Sequence, residues 1–520
     1  PRSTLSSSSA ASDVYKRQDM PHRPGRYTDA DRPRATGRNL KGPLSLTGRI
    51  LTIRKKEGNM RAGVIDIGSN FIQLLLGETG NENINVLESL KNVVPLGKST
   101  FLKGKISQEI IHQTVDLLEK YKRVLKGYDI SDVRVVATTA VREARNRDMF
   151  LDAVRRRTGW KVEVLNAGDV VYYLDAFLSL KLKKSYPIHE RNLLIAELGA
   201  GSLDISVLEK GCALMNVGFS IGTLRLKQFK NMIEGTLEET YEALEEYIEN
   251  QILYIKEILP KMRIDDVILI DENYAPVLPG LLPKIKRETD FFKLHQNDAE
   301  ELLAGLRGRT VDDLLETCNV PRELVDTLDG YASVVNMLFR LTKRNYLYIL
   351  ETSLAEAVLA NVLFNLDQAQ ENNKINQLVS VANFLCSRYG ADIPHAKHVA
   401  HLAKVLFEKF QGALGLEDKD LLYLILAAYL HDVGMYINNR AHHKHSEYVI
   451  SALNLFRLQE EESRVIACIA RYHRKAPPAT THLLYNSLAP GQQILVQKLS
   501  ALLRMANALD GSHKQKAQDC

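Results

Sequence analysis

The pattern of apolar and polar positions changes character along the chain. From residue 60 to about 185, apolar runs of strand length alternate with longer amphipathic stretches. Ala62–Ile67 and Phe71–Leu76 flank a tight polar turn; a third run lies near Ile84–Leu90. A helical stretch, Val133–Ala137, a second helical stretch and Val162–Leu165 follow. Residues 190–370 repeat the theme. Leu193–Leu198 and Leu203–Leu208 flank a second tight turn, followed by a helix over Leu237–Leu259, a strand over Val267–Ile270, and mostly helix thereafter. Strands alternating with helices predict an α/β fold in both segments. From about Gln377 the period is helical throughout: Gln377–Tyr389, Ile393–Phe410, Lys419–Leu430, His445–Asn454, Glu460–Tyr472 and Gln493–Leu509. That predicts a separate all-helical bundle. Lys181–Ser185 is a polar break, so the expected division is 60–185, 186–370 and 375–520.

Composition narrows the class. A chain of 520 residues exceeds one ordinary core, so several domains are expected. No uncharged apolar run reaches the ~18 residues of a membrane span, and no membrane partner is expected. Five scattered cysteines without a Cys-x-x-Cys pair argue against structural zinc and fit a reducing cytoplasm. A net charge of +5 permits a basic groove for a polyanion and gives no sign of sequence-specific nucleic-acid binding. Residues 1–59 carry no apolar period and no signal-peptide core. Asp13–Gln18 resembles a translated sequencing adapter, so 1–59 is expected to be an artefactual or disordered extension before a natural start at Met60. A genuine disordered basic arm is the alternative.

The two turns carry the chemistry. Asp66-Ile67-Gly68-Ser69-Asn70 and Glu197-Leu198-Gly199-Ala200-Gly201-Ser202 each place an acid at the end of an incoming strand and glycine in the turn. Glycine lets backbone approach an anion, turn N–H groups can cradle phosphate oxygens, and the acid can hold a Mg²⁺ that bridges them. Two such hairpins facing each other would form a phosphate clamp.

The doubled turn resembles the actin-like ATPase and sugar-kinase superfamily. Further motifs narrow the resemblance to the exopolyphosphatase and guanosine pentaphosphate phosphatase family. They are Val135-Val136-Ala137-Thr138-Thr139-Ala140-Val141-Arg142-Glu143-Ala144, Ser220-Ile221-Gly222-Thr223-Leu224-Arg225-Leu226 and, C-terminally, His431-Asp432-Val433-Gly434, His442–Ser446 and Arg471–Lys475. The resemblance runs from Met60 to the C-terminus. It implies two actin-like (ribonuclease H-like) lobes around a cleft, then an all-α HD-type domain. It also implies Mg²⁺-dependent release of terminal phosphate from inorganic polyphosphate or guanosine pentaphosphate, a role in the stringent response, a homodimer, and a chain that relatives usually continue past Leu509. Asp66 and Glu197 would hold the metal. Gly68, Ser69, Asn70, Arg142, Gly199, Ala200, Gly201 and Ser202 would bind phosphate, and Asp169 and Asp204 would be the catalytic carboxylates.

The chain departs from the family pattern in several places. Asp169 and Val170 stand where two glutamates are expected. Glu197, Ala200 and Asp204 replace Asp, Gly and Glu in the second turn. Asp271-Glu272-Asn273-Tyr274 replaces a Gly-Gly-Thr-like turn, and Ala355-Glu356-Ala357 an Arg-Glu-Gly. A ~1 Å displacement of a catalytic group can cost on the order of 10²-fold in rate, and Ala200 is expected to restrict the backbone. A catalytically degenerate polyphosphate or alarmone sensor is therefore one alternative. The other is a metal-dependent phosphohydrolase in the helical domain. There the resemblance implies that His395, His431 and Asp432 bind a divalent metal with Asp510, because Asn507 replaces the carboxylate expected downstream. His442, His445 and His473 are further ligand candidates. If the domain instead only shapes the groove and the dimer, Lys444 and Arg471–Lys475 would line a polyphosphate path.

Overall fold

The computed structural model describes residues 60–517, apart from 81–82, 308, 367–370 and 454–457. The expectations for 1–59 and for the chain beyond Cys520 lie outside the described residues. Two sheets carry the α/β part. The first is built from β1 (Arg61–Ile67), β2 (Phe71–Thr79), β3 (Ile84–Val93), β4 (Val133–Ala137) and β5 (Val162–Val164), in the order β3-β2-β1-β4-β5. The second is built from β6 (Asn192–Leu198), β7 (Leu203–Glu209), β8 (Cys212–Phe219), β9 (Asp266–Ile270), β10 (Lys286–Glu288), β11 (Phe291–His295) and β12 (Tyr346–Leu350). Its order is β10-β11-β12-β9-β6-β7-β8.

Each sheet opens with an antiparallel meander, β1-β2-β3 or β6-β7-β8. Parallel strands then add beside its first strand: β4 on β1, β9 on β6. β1 and β6 are buried on both faces, which explains their nearly continuous apolar sequences. Four strands were not anticipated. β8 carries Asn216 and Gly218, poor strand formers, and forms as the third strand on β7. β10–β12 lie where helix was expected; β12 inserts between β11 and β9, partners distant in sequence, which a local pattern cannot reveal.

Two helices cross between the sheets. Ala167–Lys181, which follows β5, packs against β7 and β8, while Leu354–Phe364, which follows β12, packs against β1 and β2. They also pack on each other, and their apolar faces join Ala62, Val64 and Leu75 of the first sheet to Ile268 and Leu350 of the second in one core. The core continues into the helical region through Leu378 and Leu385 of the Glu371–Arg388 helix. Gln377 there donates a buried 2.9 Å hydrogen bond to Asp175 of the Ala167–Lys181 helix. The helices Ile393–Leu414, Asp420–Leu430, His442–Ala452, Glu460–Arg471 and Pro490–Leu509 complete the region. No helix among the described residues is long and apolar enough to cross a membrane.

Candidate functional site

The carboxyl ends of the parallel strands β1, β6 and β9 point to one cavity of about 120 Å³, lined by both predicted turns. Ligands of open α/β sheets bind at this edge, where strands give way to turns and helix starts. The turns are built alike: Gly68 N–H donates to Phe71 O and Gly199 N–H to Ser202 O, each at 2.9 Å. They meet at Gly201, where an added Cβ would lie 2.9 Å from Ser69 Oγ and 2.6 Å from Phe101. Thr139 and Ser202 hydroxyls, one from each sheet's side, hydrogen-bond at 2.9 Å.

No residue of either turn has a positive φ. Ala200 therefore sits without backbone strain, and the expected restriction there does not arise. The glycine required by close approach is Gly222, where a Cβ would meet Ala200 O at 2.2 Å.

Asp66, Glu197, Asp204, Asp271 and Glu272 all line the cavity, together with Lys91. Glu197 and Asp204 face each other across β6 and β7. Burial, reinforced by Glu272 and opposed by Lys91, raises Asp66 from the ordinary carboxylate range to about 7. Burial raises Asp204 to about 6 against Arg142 and Ser202, and Asp271 to about 6 against backbone N–H groups. Burial, then Asp204 and Asp66, push Glu197 well up. Asp66 Oδ1, Asp204 Oδ1 and Asp271 Oδ2 are buried without a hydrogen-bond partner. All-oxygen donors lining one cavity are the donor type a hard divalent cation such as Mg²⁺ takes, although among the described residues no three of these carboxylates bring donor atoms within 4.8 Å of one another.

Two predicted residues lie elsewhere. Asp169 does not line the cavity: its carboxylate accepts from Asn166 N–H at 3.0 Å, and Asn166 Oδ1 accepts from Asp169 N–H, a capping box on the Ala167–Lys181 helix. The next residue, the apolar Val170, takes the wall position. Arg142 is also outside the cavity lining. It donates to Leu165 O at 2.7 Å and to Thr139 Oγ1 at 3.2 Å, so it acts on Glu197 and Asp204 as a charge behind them. The sequence pattern marks Asp271 and Glu272 as a departure and does not mark them as site residues. Their position at the end of a parallel strand, β9, was the available signal. Asp271 Oδ1 closes its turn by accepting from Asn273 and Tyr274 N–H, and Tyr274 stacks on Tyr331 with ring centroids 4.3 Å apart.

A second cluster lies in the helical region. His395, His431 and Asp432 bring one donor atom each within 4.8 Å of one another, all buried. Gly434 allows this turn to form: a Cβ there would lie 2.3 Å from His442 O and Ser446 N. Asp510, predicted as a ligand, lies outside the group. It accepts from His395 Nδ1 at 2.8 Å, a contact behind the ring, and Asn507 Oδ1 instead lies 3.1 Å from His395 Nε2. His445 is absent from the group. Arg471 is turned into an ion pair with Glu447, so it does not line an open polyphosphate path.

Residues 76–264 match the model of the Ppx/GppA phosphatase family, and residues 379–519 that of Ppx/GppA phosphatase, domain III. The chain carries Ppx/GppA phosphatase domains. Two guanosine-5'-triphosphate,3'-diphosphate pyrophosphatases, from Aliivibrio fischeri and Pseudoalteromonas translucida, are each 22% identical to it. They align over 464 and 475 residues, which is 85% and 87% of this chain and the same shares of theirs. An exopolyphosphatase structure from Cytophaga hutchinsonii superimposes with a TM-score of 0.52 at 22% identity, covering 59% of this chain and 98% of that one. The Aquifex aeolicus Ppx/GppA family member superimposes at 0.50 and 18%, covering 61% and 99%. The Ppx/GppA fold of this chain is actin-like, two sheets of mixed α/β structure followed by a helical region.

Proposed function

We propose that the cleft hydrolyses phosphoanhydrides, releasing terminal phosphate from inorganic polyphosphate or guanosine pentaphosphate in a Mg²⁺-dependent reaction. The observation that carries this reading is the pair of equivalent turns lining one cavity together with five carboxylic acids. The cavity holds five carboxylates against one lysine, so a polyanion enters only with cations that reverse this charge. Asp66, Glu197 and Asp271 would hold Mg²⁺, which when bound neutralises phosphoryl oxygens. The turns around Gly68, Ser69 and Asn70, and around Gly199, Ala200, Gly201 and Ser202, offer backbone N–H and hydroxyl donors to the terminal phosphate. The Asp204 carboxylate takes the proton of the attacking water. The water oxygen bonds to phosphorus as the anhydride oxygen leaves with the shortened chain. A carboxyl raised to about 6 remains ionised at neutral pH and is more basic than an exposed one. The cavity volume suits the end of a chain and not a nucleoside, so the rest of the substrate lies outside.

Val170 on the cavity wall favours a second reading, in which turnover is slow and the cleft reports ligand occupancy. Phosphate release from long-chain polyphosphate with Mg²⁺, beside Asp66→Ala, separates the two. Release lost in the variant supports hydrolysis; no release, with polyphosphate still raising the melting temperature, supports the sensor. We further propose a division at 60–185, 186–370 and 375–520, a cytoplasmic homodimer acting in the stringent response, and an HD-type helical domain. In that domain His395, His431 and Asp432 hold a divalent metal and Asp510 orients His395.

A further inference from the structure

The second turn is held by its carbonyl oxygens. Gly199 O accepts from Thr223 N–H at 3.2 Å and Ala200 O from Leu224 N–H at 3.0 Å, both at the start of the Thr223–Lys230 helix. For Gly201 O the next residue of that helix supplies a side chain instead, Arg225 Nε donating at 2.6 Å. In the first turn backbone alone does this work: Ser69 O accepts from Gly97 N–H at 2.7 Å and Asn70 O from Val94 N–H at 3.0 Å.

A fixed carbonyl also fixes the N–H that follows it. The peptide group is planar and none here is cis, so Gly201 C=O and Ser202 N–H point in opposite directions. Gly201 and Ser202 line the cavity, and Arg225 does not. With its oxygen drawn outward to Arg225, this peptide turns its N–H inward. Among the described residues the N–H groups of Ala200, Gly201 and Ser202 have no acceptor, although Gly201 and Ser202 are buried. Buried donors without partners call for an acceptor from outside the chain.

Arg225 is itself anchored on the first sheet's side of the cleft. Its guanidinium carbon lies 3.8 Å from the centroid of the Phe101 ring, and Nη2 pairs with Glu143 Oε2. Phe101 belongs to the Leu96–Lys103 helix after β3, and Glu143 caps the short Thr139–Arg142 helix after β4. Thr139 of that same helix bonds the Ser202 hydroxyl. The contacts close into a ring: Glu143 to Arg225, Arg225 to Gly201 O, Ser202 to Thr139, and one helical turn back to Glu143. Arginine suits the position. One nitrogen reaches the carbonyl, another the carboxylate, and the flat face lies on the aromatic ring, which a lysine's point charge cannot combine.

We propose that Arg225 is a positioning residue that orients the Gly201–Ser202 peptide so that Ser202 N–H donates to a terminal phosphate oxygen, and that it does so only while Glu143 and Phe101 hold it. This rests on the cleft reading given above. It makes one donor of the phosphate cradle conditional on contact between the two sides of the cleft, whereas the first turn is set by its own backbone.

The sequence supplies a probe. Gly-Ser occurs three times, at 68–69, 201–202 and 511–512, so a full chain labelled with ¹³C-carbonyl glycine and ¹⁵N-serine gives three peptide resonances. Without ligand, Arg225→Met and Glu143→Gln should each shift or broaden the 201–202 resonance and leave the other two in place. Mg²⁺ with tripolyphosphate should move the 201–202 resonance of the wild type. It should bind Arg225→Met on the order of tenfold more weakly by calorimetry, as expected for one lost hydrogen bond to a charged group. The pair Arg225→Glu with Glu143→Arg separates positioning from simple bridging. It should recover the urea midpoint lost in either single variant but not the affinity, because a glutamate cannot donate to Gly201 O. An unmoved 201–202 resonance in Arg225→Met, full tripolyphosphate affinity in that variant, or affinity restored in the charge-reversed pair overturns the proposal. Glu143→Gln keeps the arginine and serves if Arg225→Met does not fold. A wild type that ignores tripolyphosphate overturns the cleft reading and the phosphate role with it. Failure of the Arg225 step alone shows instead as a wild-type response that the variants retain in full.

Discussion

Replacing Asp66 by Asn should stabilise the metal-free protein and abolish its Mg²⁺ response together. Asp66 is half-buried with its Oδ1 fully covered, beside Glu272, and its carboxyl rises from 3.8 to about 7. The folded chain thus keeps a proton that the unfolded chain releases between these values. Metal-free stability contributed by this group is therefore complete below pH 3.8 and is lost as pH rises to about 7. A difference of about 3 pH units at 1.36 kcal/mol each is on the order of 4 kcal/mol. In chelator, urea unfolding at pH 4 should find wild type and Asp66→Asn nearly equal. At pH 8 the variant should be more stable by up to about 4 kcal/mol, because its amide carries no charge to bury. Mg²⁺ binds the folded state and should raise wild-type stability at pH 8 far more than at pH 5, where protons compete, while leaving the variant almost unmoved. Phosphate release should vanish in the variant. Equal stability of the two proteins at pH 8 in chelator, or equal stabilisation of both by Mg²⁺, would refute the placement of Asp66 as a metal ligand.

Asp169→Asn should leave phosphate release within a few-fold of wild type and lower stability by about 1 kcal/mol or less, read by urea midpoint, because its carboxylate caps a helix. Val170→Glu should restore a carboxylate to the cavity wall and raise release by on the order of 10²-fold at saturating Mg²⁺; an unchanged rate would count against Val170 as the limiting position. Asp204→Asn should lower kcat by on the order of 10²-fold or more with little change in KM, and should remove the acidic limb, near pH 6, of the rate profile. Gly222→Ala should displace the second turn, since its Cβ meets Ala200 O at 2.2 Å, and should raise KM for polyphosphate along with a stability loss of about 1–3 kcal/mol.

The parts of the molecule legible in the sequence were those with local signatures. The two hairpins, the acids at their strand ends and the His-Asp turn each occupy a few consecutive residues, and the structure brings the acids to one cavity. Orientation was less legible. Asp169 was read as facing the cleft, yet Asn166-Ala167-Gly168-Asp169 is itself a capping pattern, and that signal assigns the carboxylate to its own helix. Arg142 illustrates a limit of another kind: nothing local says that Leu165 O will claim a guanidinium. β12 and the His442–His473 pair depend on segments far apart in the chain, where pairing is a property of the whole fold.

The exchange of helices between the two sheets sets an order of events during synthesis. The apolar side of β1, with Ala62 and Val64, is covered by the Leu354–Phe364 helix. That helix emerges from the ribosome nearly three hundred residues later, roughly 15–60 s at ~5–20 residues per second. The first sheet must therefore wait, half covered, with an exposed hydrophobic face that other nascent chains or a chaperone can occupy. Closing the core is the same event that brings the two glycine-containing turns together, so a ribosome-bound chain shorter than about 364 residues should have neither a finished core nor a cleft.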